Sequence, residues 1–224
     1  MGEWLLFIQG TIPIVARGAN WGDRFLISKS RKKIKSSANR TLCRGGENGK
    51  LYISLAVIES TGEVIATYRK SFLWGREKEI FTPGDRAYNA IDTSKGKIGV
   101  LICADIEFPE PSRILALQGV ELIIVPSVWS YGAETRWDIQ LPARALDNTV
   151  YILGVNTVNE GSCGKSKLVA PNGEVLCEAS TTEQSILIHD VDFSIIPDVR
   201  KEVPYLDDLD KKLWPNAALF EMKK

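Results

Sequence analysis

The sequence predicts an α/β protein, and three observations carry that prediction. Apolar runs "GVLICADI", "VELIIVPSVW" and "TVYILGVN" alternate with the helical stretches "EPSRILALQG" and "ETRWDIQLPARALDN". This is the rhythm of strand, helix, strand crossovers, which make neighbouring strands parallel. Two hairpins, "LYISLAVIE" with "EVIATYRK" and "SKLVA" with "EVLCEA", turn through "STGE" and "PNGE"; their echo points to a two-sheet or pseudo-symmetric body. Finally, 224 residues with 44% hydrophobic content suit one large core better than two small ones.

In chain order, the opening fits this rhythm least. After "LLFIQGTIPI", which reads as a strand, the stretch "RGANWGDRFLISKSRKKIKSSANRTLCRGGENG" has no sustained period and is rich in Gly, Ser and Asn, so it reads as a long loop or disorder. Its Lys/Arg cluster from Lys29 to Lys35 is read as a solvated charge run rather than a nucleic-acid patch. The first hairpin follows from Lys50. Next comes "KIGVLIC", in which Ile98, Val100 and Ile102 share one face and Gly99, Leu101 and Cys103 the other. That alternation places Cys103 at the carboxyl end of a strand. The helix after it stops at Gly119, and the following strand ends over Pro126 to Trp129. In open α/β sheets ligands bind outside the carboxyl ends of strands, so Cys103, Ser127 and Trp129 are expected to border one pocket.

Charge and cysteine content narrow the functions. Lys plus Arg and Asp plus Glu both number 28, so no overall field draws the chain to nucleic acid, an anionic membrane or acidic partners. Cys43, Cys103, Cys163 and Cys177 form no Cys-x-x-Cys pair, and neither a metal nor another cofactor is implied. No secretory signal pattern and no apolar run approaching the roughly 20 residues of a membrane span is visible, so the expected setting is the reducing cytoplasm.

A cysteine nucleophile needs a base to form the thiolate and donors for the oxyanion that develops on the substrate. The single histidine, His189 in "SILIHDVDF", reads as a strand residue remote from every pocket candidate, so a carboxylate or a lysine must stand in. In "EVIATYRK", alternation puts Val64, Ala66, Tyr68 and Lys70 on one face, which closes an apolar row with an ammonium. Lys70 either snorkels to water or pairs with Glu77, seven residues on. An ammonium beside Cys103 favours the thiolate, which would also make a redox-sensing role credible.

These residues resemble a known family. "YRKSFLWGREKEIFTPGD", then "GVLICADIEFPEPSRILALQGVELIIVPSVW", then "RWDIQLPARALDNTVYILGVN" are similar to the nitrilase or carbon-nitrogen hydrolase superfamily, from about Lys50 to about Leu206. The resemblance implies a four-layer αββα sandwich of the nitrilase type, assembled as a homodimer or larger homo-oligomer. It also implies hydrolysis of non-peptide C–N bonds in a small carboxamide or carbamoyl compound, through a thioester on Cys103. Lys70 and the backbone N–H of Ala104 would then hold the oxyanion, and Glu77 would position substrate or lysine. The family's general-base glutamate has no match, because the strand it precedes, "LLFIQGTIPI", begins almost at Met1 and Glu3 lacks the expected surroundings. The amino-terminal portion is therefore expected to be incomplete, and an association-only, catalytically incompetent chain is the alternative.

Other candidates have plainer readings. Glu107 and Glu110 suit turn formation and the helix amino-terminal charge. Cys163 is a small residue of a Gly-rich loop or a pocket liner, Trp129 a pocket wall or core, and Arg144 pairs within the fold. The expected division is an atypical segment 1–49, a hydrolase domain 50–206 and a tail 207–224 in oligomer contacts.

Overall fold

Strands that are apolar on both faces need something packed on each side, and the computed structural model shows what that is. It describes residues 5–7, 14–17, 25–26, 42–45, 50–59, 61–159 and 161–209. One sheet contains β1 (Leu5–Phe7), β2 (Ile14–Arg17), β3 (Phe25–Leu26), β4 (Leu42–Gly45), β5 (Leu51–Ile58), β6 (Val64–Arg69) and β15 (Leu187–Asp190). Its order is β15-β2-β1-β3-β5-β4, with β6 also paired to β5. The other contains β7 (Ile91–Thr93), β8 (Gly96–Val100), β9 (Leu122–Ser127), β10 (Tyr151–Asn156), β13 (Lys167–Val169) and β14 (Val175–Glu178), in the order β14-β13-β10-β9-β8-β7. The two hairpins fall one in each sheet, β5 with β6 and β13 with β14.

The crossovers do produce parallel neighbours: β8 pairs parallel with β9, and β9 with β10. Between them run α2 (Pro109–Leu117) and α3 (Glu134–Asn148). Proline pre-sets the first turn of α2 and Glu110 complements its amino-terminal dipole. Gly119, at φ +82°, takes the left-handed position just past its end. In α3, Trp137, Leu141, Ala145 and Asn148 are buried at helical spacing. These helices lie close against the second sheet. A Cβ on Gly99 would come within 2.7 Å of Leu115 in α2, and one on Gly154 within 2.4 Å of Leu141 in α3. Ile53, Leu55 and Val57 of β5 join Ile98 and Val100 of β8 in one buried cluster, so helix, sheet and sheet follow one another as in the αββα sandwich.

Two local expectations change. "LLFIQGTIPI" is not one strand, since β1 and β2 are antiparallel partners with Leu5 opposite Val15; Gly10 and Pro13 interrupt the run. The stretch read as a long loop contains β3 and β4, the latter paired to β5 with Cys43 opposite Ile53. Pairing with the strand that follows it, rather than any local period, makes that short strand. The basic run Lys29–Lys35 lies outside the described residues, as does the tail from residue 210.

Candidate active site

The strand carrying Cys103 stops sooner than its apolar run. β8 ends at Val100, Leu101 donates one further ladder hydrogen bond to Ile124 (3.0 Å), and Cys103 opens a 3₁₀ turn, Cys103–Glu107. The cause is local capture: the Ile102 N–H donates to Asp105 Oδ2 at 2.9 Å instead of to a neighbouring strand. Cys103 then sits at φ +52°, a left-handed conformation uncommon for a residue with a side chain. Backbone outliers of this kind concentrate at functional sites.

Asp105 went unnoticed in the sequence. Fully buried, its carboxylate accepts from Ile102 N–H, Ser71 N–H (3.2 Å), Phe72 N–H (2.8 Å) and the Tyr68 hydroxyl (2.8 Å). The available signal was an acid two residues beyond the cysteine, inside a run otherwise apolar. Burial raises its carboxyl above the usual range against the pull of the Ile102 and Phe72 amides. Burial also pushes the Tyr68 phenol far up, with the Asp105 charge adding to it, and Tyr88 up to about 12.

The Lys70 alternative resolves to pairing. Its side chain is only 1% exposed, and Nζ donates to Glu77 Oε1 at 2.9 Å and Oε2 at 2.6 Å. Glu77 starts the single-turn helix α1 (Glu77–Ile80) and also accepts from the Trp74 N–H at 2.7 Å. The main chain of Lys70 is fixed by Ile53 and Gly84, both at 2.8 Å.

Cys103 is half-buried. Burial pushes its thiol above the ordinary value of 9.0, opposed by the Lys70 ammonium and the backbone amides of Val128 and Ala104, with Glu77 acting the other way. Lys70 thus acts toward the thiolate, in the expected direction, and burial outweighs it.

The end of β9 faces this thiol through the Val128 amide. Ser127 is partly buried with Oγ at 3.4 Å from the Val125 carbonyl. Trp129 is buried, and its indole N–H is committed to the Ala133 carbonyl at 2.7 Å, so it offers a ligand no hydrogen bond. Asn156 fixes this strand end: its Oδ1 accepts from the Trp129 N–H (2.7 Å), and its Nδ2 reaches the Trp129 carbonyl (3.1 Å) and Cys163 Sγ (3.3 Å). Cys163 is fully buried in the small ladder of β11 (Val158–Asn159) and β12 (Ser162–Cys163).

The remaining candidates are spread apart. His189 lies on β15 in the other sheet, its Nδ1 2.7 Å from the Asp190 carbonyl. Glu107 pairs with Arg136 at 2.6 Å, and Arg144 with Asp147 at 3.4 Å. Glu3 lies outside the described residues. Among the described residues no cluster of three His, Cys, Asp or Glu is placed to hold a metal, and no helix is long and apolar enough to cross a membrane.

A cysteine on a left-handed turn beside an ion-paired lysine is matched by similarity along the chain: the carbon-nitrogen hydrolase family model covers residues 34–201. The chain belongs to the carbon-nitrogen hydrolase family. The match begins upstream of Lys50 and so takes in β4. A nitrilase of Pyrococcus abyssi is 36% identical over 167 residues, 72% of this chain and 61% of the relative. The crystal structure of a carbon-nitrogen hydrolase from Helicobacter pylori aligns at TM-score 0.71 and 26% identity, over 89% of this chain and 71% of that one. A mutant amidase of Nesterenkonia sp. AN1, with the acetamide moiety of fluoroacetamide added covalently at its active-site cysteine, aligns at TM-score 0.66 and 29% identity, over 73% and 61% of the two chains. The match to the Pseudomonas protegens hydrolase and the Pyrococcus nitrilase spans about three fifths of each relative's length.

Proposed function

We propose that this carbon-nitrogen hydrolase family member acts on a small carboxamide or carbamoyl compound, with Cys103 as nucleophile. The observation that carries the reading is the half-buried Cys103 thiol at φ +52°, within electrostatic reach of a fully buried lysine. The sulfur attacks the carbonyl carbon as its proton is removed, and the oxyanion is held by Lys70 and the Ala104 amide. Collapse breaks the C–N bond, the amine leaves with a proton, and water then cleaves the thioester to a carboxylic acid and the free thiol. Glu77 holds the Lys70 ammonium in place through its two carboxylate oxygens. Because burial favours the thiol form of Cys103, the attack needs a proton acceptor rather than a standing thiolate. Ser127 and Trp129 form the wall on the β9 side.

The test exposes the purified chain to fluoroacetamide, maps the adduct by peptide mass spectrometry, and follows ammonia release from short aliphatic amides. The expected result is one acetamide adduct, on Cys103, with ammonia release lost in Cys103→Ala. Labelling spread over Cys43, Cys163 and Cys177 with Cys103 untouched would overturn the assignment. Adduct formation without any ammonia release would favour an association-only role.

A further inference from the structure

A side chain held at positive φ persists only when its surroundings over-determine it. At Cys103 the over-determination comes from a single carboxylate that accepts from two different segments, Tyr68 to Phe72 and Ile102. Oδ1 of Asp105 accepts from the Ser71 and Phe72 amides at 3.2 and 2.8 Å, the two peptide groups immediately after Lys70. Oδ2 accepts at 2.9 Å from the N–H of Ile102, the residue immediately before Cys103, and from the Tyr68 hydroxyl at 2.8 Å. Lys70 follows β6 of one sheet and Cys103 follows β8 of the other, and among the described residues no strand ladder joins those sheets. The shared carboxylate is thus a direct polar tie between the two reacting groups' backbones.

We infer that Asp105 is the positioning residue of this site, holding the Cys103 turn and the Lys70 segment in register so that thiol, ammonium and the turn's amides converge on one carbonyl. The inference rests on the nucleophile reading above. Misplacement of reacting groups by an ångström can cost about a hundredfold in rate. The isosteric amide is informative because Asp105→Asn can present an oxygen to only one set of backbone donors, and its NH₂ then meets the N–H of Ile102 or those of Ser71 and Phe72. One of the two backbone ties is then lost. The charged and titratable groups packed around the pair are Lys70, Glu77, Tyr68 and Tyr88.

The experiment measures the rate of Cys103 carboxamidomethylation by iodoacetamide against pH, in the full chain and in Asp105→Asn and Tyr68→Phe, with thermal melting in parallel. Loss of position removes Lys70 and amide support from the thiolate, so in Asp105→Asn the profile should move to higher pH. Labelling at neutral pH should fall about tenfold for each pH unit moved. Tyr68→Phe, which keeps the carboxylate and removes one donor, should shift it less in the same direction. Simple deletion of a nearby negative charge would move the profile to lower pH, because it favours the thiolate. That direction, or an unchanged profile in a folded variant, overturns the inference. If Asp105→Asn does not fold, Tyr68→Phe decides alone, and no shift there overturns it. Failure of the wild-type chain to label Cys103 ahead of Cys163 and Cys177 would instead sink the nucleophile reading itself.

Discussion

Two buried lysines, Lys70 and Lys167, differ in what surrounds their ammonium groups, and the proposed role of Lys70 rests on that difference. Their side chains are 1% and 2% exposed. Lys167 meets two carboxylates, Asp138 at 2.6 Å and Glu178. Neighbouring Lys165 adds bonds to Asp138 (2.5 Å) and Glu134 (3.1 Å). Around that pair three carboxylates surround two ammonium groups, and burial pushes the nearby Cys163 thiol up, with Glu134 and Asp138 adding to it against Lys165. Lys70 has one carboxylate, Glu77, and its ammonium also acts on the Cys103 thiol. In the first arrangement carboxylates outnumber the ammonium groups. In the second a single carboxylate holds a fixed cation that favours the thiolate of Cys103, which is what the proposed oxyanion role asks of it.

The comparison breaks most visibly at Lys70. Lys70→Met removes an oxyanion donor, and the expected loss is about 10² to 10³ in the rate of amide turnover or of Cys103 acylation. Melting temperature should hold or rise, because an apolar side chain replaces a buried ion and Glu77, 31% exposed, can be solvated. Stopped-flow or quench-flow acylation with parallel calorimetry checks both. A large stability loss at unchanged rate would make Lys70 a second Lys167.

Asp138→Ala should do the reverse. Removing one partner of a fully buried pair costs roughly 3–5 kcal/mol; Asp138 is partly solvated and both lysines keep another carboxylate, so about 2 kcal/mol is expected. Urea denaturation measures it. The Cys103 alkylation rate should stay within about twofold, as for a surface change remote from the reacting groups. A collapse of labelling would show that the network supports the site.

The smallest expected effect is in acid. Although burial works against it, hydrogen bonds from Lys165 and Lys167 hold the Asp138 carboxyl below its ordinary 3.8. A depressed folded-state value adds stability that is present above the unfolded value and is lost as pH falls through the folded one. The chain should therefore lose stability progressively below about pH 4, and Asp138→Ala should flatten that limb. Melting curves from pH 6 to 3 on both proteins test the sign.

Much of this was legible without coordinates, and the reason is periodicity. The parallel run β8, β9, β10 and the helices between them follow from alternation and helical spacing, which local sterics impose on any chain. The β5–β6 and β13–β14 hairpins were marked by Gly-containing turns. Cys103, Lys70 and Glu77 stood out because a thiol, an ammonium and a carboxylate interrupt or flank apolar runs. The short strands β3 and β4 were not legible: β3 meets β5 through a residue far along the chain, Leu26 opposite Ile58, and β4, though it pairs with the next strand, has only four residues and leaves no local period.

What the sequence by itself determined is the α/β class, the order of the crossovers and the residue types that can do chemistry near the end of β8. Only the tertiary structure decided that Lys70 pairs rather than reaching water, that Cys103 turns left-handed two residues past Leu101, and that burial pushes its thiol up. It also decided that Asp105 joins segments 33 and 34 residues apart. Hydrogen-bond partners at such separations obey no repeat. Their identity depends on which strand ends the two sheets bring together, and the energy of a buried charge depends on the donors found there.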